Sequence, residues 1–97
     1  MLRGRPKVYN LVVEAGSTYA DNLCDFMADT GYAATFCQIE TDNPVLVKLN
    51  DDENAVFGLA DNTAQVFNKG DLVLSSLAID NTASGASQAY VVVIIGY

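Results

Sequence analysis

Histidine is absent from this 97-residue chain, and with it goes the commonest general base and metal ligand at neutral pH. Cysteine is scarce. Cys24 and Cys37 are too few for a disulfide framework, and no second pair completes a zinc site. Buried free thiols are one reading, because cysteine behaves as a small hydrophobe; a single disulfide is the other. The segments around both cysteines carry acids and no cation, so nothing there activates a thiolate. The serines have no base partner. Glycine-rich phosphate loops are missing, as are basic patches interleaved with aromatics, which argues against single-strand nucleic-acid binding. The longest apolar run, Tyr90 to Ile95, is too short to cross a bilayer. The N-terminal basic residues are followed by no apolar core of a signal peptide, since Asn10 and Glu14 interrupt Leu11 to Val13. The chain therefore reads as a soluble protein made in the cytosol, with no catalytic residue, metal or cofactor.

Charge is also in short supply. Charged residues make up 18% of the chain, whereas 51% is hydrophobic; a quarter charged is usual. A chain this short forms one domain and hides only roughly 60–65% of the surface its unfolded form exposes. So much apolar residue in so thin a body implies that part of it lies in a subunit interface. The formal charge is −7, and its layout is uneven. Arg3, Arg5 and Lys7 are three of the five cations, and only Lys48 and Lys69 stand against the twelve acids that follow. An acidic body repels nucleic acid and anionic membranes. This gives two parts: a basic arm over residues 1–7, solvated or reaching an acidic neighbour, and a single domain over 8–97. Paired carboxylates of the glycosidase kind have no support in the pattern, since the acids fall mostly on turns and polar faces.

Most of the chain reads as strand and turn. In Lys7 to Glu14, Tyr9, Leu11 and Val13 form an apolar face and Val8, Asn10 and Val12 a mixed one, a period-2 pattern that the Ala15-Gly16 turn ends. Over residues 17–30 the period changes: Tyr19, Leu23, Phe26 and Met27 form a stripe, Ser17 or Thr18 can cap it and Gly31 can stop it. The spacing predicts one short amphipathic helix there, laid on a sheet or offered to another subunit. Strands follow at Thr35 to Thr41, Val45 to Asn50, Phe57 to Leu59 and Val66-Phe67, separated by polar turns. The acidic tip from Asn50 to Asn54 has oxygen ligands suited to calcium, but lacks the glycine and spacing of an EF-hand; a solvated hairpin tip is the simpler reading. Between Leu72 and Asp80, Leu72 and Leu74 fall on even positions and Leu77 and Ile79 on odd ones. A bulge near Ser75-Ser76 brings all four to one face; a strand buried on both sides is the competing reading. Gln88 to Tyr97 is apolar without alternation, as in a strand covered on both faces. About seven strands at intervals of about ten residues predict an all-β fold, an antiparallel β-sandwich or jelly-roll-like barrel.

The order Val45-Leu46-Val47-Lys48-Leu49-Asn50, Phe57-Gly58-Leu59-Ala60, Gln65-Val66-Phe67, Leu72 to Asn81 and Tyr90 to Tyr97 resembles small bacteriophage virion proteins of the capsid decoration (cement) kind. The resemblance covers residues 33–97 and leaves out the helical segment. It implies a structural protein of the virion, a β-sandwich assembled in the host cytoplasm. Such a protein, a trimer in the usual case, would bind the major capsid protein on the capsid surface and stabilise the phage head. Arg3, Arg5, Lys7, Tyr90, Val92, Ile94 and Tyr97 are the candidate oligomer or capsid contacts. Two alternatives stay open: a tail, neck or baseplate component, and a carbohydrate- or receptor-binding module carried by Tyr9, Tyr19, Tyr32, Tyr90 or Tyr97.

Overall fold

A computed structural model describes residues 6–21, 24–83 and 85–97. Eight strands and one helix follow in the order β1 (Lys7–Val13), β2 (Thr18–Asp21), α1 (Cys24–Thr30), β3 (Phe36–Thr41), β4 (Val45–Leu49), β5 (Val56–Leu59), β6 (Thr63–Phe67), β7 (Leu77–Asp80) and β8 (Ala89–Gly96). They form two four-stranded sheets, β1-β8-β3-β6 and β2-β7-β4-β5, in which every pairing is antiparallel. The first strand pairs with the last, the second with the seventh, the third with the sixth and the fourth with the fifth. This is one long nested hairpin rolled up on itself, the strand order of a jelly roll. The roll is a sandwich and not a closed barrel, since each sheet keeps two edges.

The alternation in the sequence places the core. Val13, Cys37, Ile39, Val91, Val93 and Ile95 come from one sheet and Val45, Val47, Leu49, Leu59, Leu77 and Ile79 from the other, all buried. Each such aliphatic side chain contributes about 1.5–3 kcal/mol by leaving water. Phe26 of α1 is buried with them and meets Tyr97 edge to face at 6.1 Å.

The helix expected over 17–30 is shorter than its sequence pattern. Thr18–Asp21 forms β2, and among the described residues the helix is Cys24–Thr30. Tyr19 serves both periods: it starts the helical stripe, yet in β2 it turns inward opposite Ile79. The ladder offered by β7 decides, an interaction distant in sequence that outweighs a local pattern. The expected stop holds: Gly31 has φ +77°, and its N–H donates to the Met27 carbonyl at 2.7 Å. Eight strands replace the expected seven because β2 is one of them.

Leu74, Leu77 and Ile79 are buried and Leu72 packs at the rim of the core, so the four do share one side. The device is a break in the strand and not a bulge within it. Leu74 bridges Ala34, whereas β7 begins only at Leu77. Asn50 holds the break. Its Oδ1 accepts from the Ser75 N–H at 2.6 Å, the Ser75 hydroxyl at 3.1 Å and the Ser76 N–H at 3.4 Å, while Nδ2 donates to the Val73 carbonyl at 2.9 Å. Asn81 performs a similar task in the interior, where its Nδ2 donates to the carbonyls of Val13 and Ser87.

Candidate interaction surface

The strand β8 lies in the middle of its sheet, between β1 and β3. Its odd-numbered residues fill the core, and Tyr90, Val92 and Ile94 point the other way. The expectation that this strand is covered on both faces is met on one face only within the subunit. Register builds the open face in rows: Val8, Ile94, Gln38 and Val66; then Asn10, Val92, Glu40 and Ala64; then Val12 beside Tyr90. Val8, Val12 and Tyr90 are each more than half exposed, at 51%, 54% and 56%, and Val66 is exposed as well. Glu40 is the charged side chain within these rows. Exposed apolar side chains gathered on one sheet face make it the candidate interaction surface.

Tyr90 is fixed by its backbone: its N–H donates to Asp42 Oδ1 at 2.8 Å, and its carbonyl accepts from the Asp42 N–H at 3.3 Å. The ring is thereby presented on a rigid strand, which keeps the entropy cost of burying it low.

The candidate contacts read from the sequence divide. Tyr90, Val92 and Ile94 share the open face. Lys7 opens β1 on the inward-facing side of the strand, its ammonium 5.2 Å from the Tyr9 ring centroid. It lines a groove of about 530 Å³ at the end of the sandwich with Pro6, Phe26, Asp29, Thr30 and Tyr97. Tyr97 stacks on Tyr32 with centroids 4.6 Å apart and planes at 15°. Lys7, assigned to the arm, thus belongs to the first strand, while Arg3 and Arg5 lie outside the described residues. Val8, Val12 and Val66 were missed as members of the face. The signal was present for the first two, as valines on the even positions of β1 that the alternation had marked as its mixed side.

Cys37 is a free thiol on β3 that faces the core, its pKa pushed up to about 12 by that burial, so it stays protonated and unreactive at neutral pH. At the acidic tip, Glu53 accepts from Lys48 at 2.8 Å and Asp52 from the Asn54 N–H at 2.9 Å. These carboxylates turn to neighbours and not to a common centre. The Tyr19 hydroxyl is raised to about 12, by burial first and by the Asp21 carboxylate it bonds at 3.0 Å second.

Comparison of the chain with protein-family models, curated proteins and solved structures finds no match. The functional argument rests on the surface itself.

Proposed function

We propose that the chain is a structural protein of a bacteriophage particle: a homo-oligomeric decoration (cement) protein that binds the major capsid protein lattice and stabilises the head. The observation that carries this reading is the open apolar face of β1 and β8, with Val8, Val12, Tyr90, Val92 and Ile94 on a rigid sheet. A side chain already half covered by its neighbours gains roughly 1 kcal/mol when sealed completely, too little for tight binding by one copy. Repeated over a lattice of linked copies, the same gain is ample. The jelly-roll order supports the reading by analogy, since this architecture recurs in virus particles. The acidic body disfavours nucleic acid and anionic membranes as partners. Its partners are its own copies, a trimer by the resemblance, and the capsid protein.

The test is sedimentation of the purified chain with heads of the encoding phage prepared without it. Wild type pellets with the heads, and Val92→Lys/Ile94→Lys, whose side chains point away from the core, stays in the supernatant with an unchanged circular dichroism spectrum. Wild type that never pellets sinks the reading, and binding to purified tails moves the chain to the tail, neck or baseplate.

One feature favours a second reading, a carbohydrate- or receptor-binding module. Tyr32 is 58% exposed and stacked on Tyr97 at the open end of the sandwich, the kind of aromatic platform on which a sugar ring rests. Glycan binding that Tyr32→Ala abolishes, with no affinity for particles, selects it.

A further inference from the structure

An edge strand presents a row of N–H and C=O groups, and soluble proteins guard such edges with lysine, proline or covering segments. β6 forms one edge of the β1-β8-β3-β6 sheet. Its residues, Thr63-Ala64-Gln65-Val66-Phe67, include no charge and no proline, and all but Phe67 are exposed.

The neighbouring ladder fixes which of its backbone groups face outward. The Tyr90 N–H and carbonyl meet Asp42, the Gln88 carbonyl meets Asn43 and the Gly96 carbonyl meets Thr35. The even-numbered residues of β8 therefore face β3, and the register sets them against the even-numbered residues of β3. Backbone groups alternate sides along a strand, so Cys37, Ile39 and Thr41 turn toward β6 and meet Phe67, Gln65 and Thr63. Ala64 and Val66 are left with N–H and C=O pointing off the sheet. The Val66 carbonyl takes a long bond of 3.5 Å from the side-chain amide of Gln65.

We propose that β6 is a self-recognition edge. The β6 strand of a second copy pairs with it antiparallel about a two-fold axis through Gln65, joining two sheets into one. Residues equidistant from Gln65 then come opposite each other. Ala64 of one copy faces Val66 of the other, and the two exchange N–H···O=C bonds on both sides of the axis. Gln65 faces Gln65 as a non-hydrogen-bonded pair, where side chains approach most closely, and the amides can bond each other.

The flanking charges identify the occupant as a second copy. Asp61 precedes β6 and Lys69 follows it, so the antiparallel pairing brings the acidic end of each strand near the basic end of the other, twice. Both residues are exposed, and neither enters the ion pairs that Lys48 makes with Asp51 and Glu53. A chain with a formal charge of −7 repels its own copies over most of its surface. This edge is a stretch where the copies attract. The axis stands perpendicular to the sheet, so outer face continues into outer face, and the apolar patch is extended instead of covered. The contact requires only that the chain meets its own copies, whatever particle it serves, and by itself it makes a dimer or a link between trimers.

Sedimentation equilibrium of the full chain tests the contact. Asp61→Lys and Lys69→Glu each set like charges opposite one another, and each weakens self-association roughly tenfold at low salt. Mixing the two variants restores association, because the heterodimer has two opposite-charge pairs, and the double variant D61K/K69E restores it within one chain. Val66→Pro removes an N–H with no ladder partner in the subunit, so this variant keeps its fold by circular dichroism and sediments without the two-fold contact. An oligomer indifferent to all of these substitutions overturns the contact and leaves the homo-oligomeric reading standing. Wild type that stays monomeric at every concentration overturns both.

Discussion

Asn50 occupies a backbone conformation that side chains avoid, φ +56°, and asparagine is among the few residues that tolerate it. It also supplies the bonds that hold the break before β7. The two roles separate by substitution. Asn50→Gly keeps the backbone freedom and loses the bonds, costing about 1–2 kcal/mol, whereas Asn50→Ala loses both and costs about 1 kcal/mol more; urea unfolding measures the difference. Cys37 and Tyr19 set the alkaline limit of the fold. Burial raises the Cys37 thiol from an ordinary value of 9.0 to about 12, so the folded state favours the protonated form. The stability this contributes is complete below about pH 9, where folded and unfolded thiols are both protonated, and is lost as pH rises toward 12. Tyr19, raised from 10.0 to about 12, acts in the same direction between those values. The midpoint of thermal unfolding is expected to fall from pH 9 to 11, and less steeply in Cys37→Val.

Gly58 lies within β5 opposite Leu46, where a strand gains nothing from its flexibility. A Cβ there would sit 3.6 Å from Leu46 Cδ2, an ordinary contact. Gly58→Ala is expected to stabilise the protein by about 0.5–1 kcal/mol, read as a rise in the urea midpoint. At this scale the sequence announced most elements, because a half-buried strand alternates and β1, β3 and β4 do so plainly. Tyr19 shows why the remainder stayed hidden: its stripe fits a helix locally, and the ladder that makes it a strand comes from Ile79, sixty residues on. The shared side of Leu72, Leu74, Leu77 and Ile79 was legible from parity, but the break that achieves it depends on Asn50, which no pattern connects to Ser75. The open face was half legible. Tyr90, Val92 and Ile94 stood out as an unalternating run, while the membership of Val66 depends on the register of β6 against β3.

For the molecule as a whole, basic residues precede an acidic, apolar body. Deleting Met1 to Pro6 is expected to leave the unfolding midpoint unchanged, since β1 begins at Lys7, and to reduce occupancy on particles, measured by sedimentation with heads at low salt. Equal occupancy with and without the arm would remove it from the binding account. The nested pairing has a further effect on when the protein can become itself. β8 is inserted between β1 and β3, so until residues 89–96 leave the ribosome the first sheet has a gap beside the β3-β6 pair, and β1 has no ladder to join. Most contacts span long stretches of chain, a topology that folds slowly and late. The first sheet therefore closes only once β8 is in place, and a subunit still lacking it has no Tyr90, Val92 and Ile94 face to offer a neighbour.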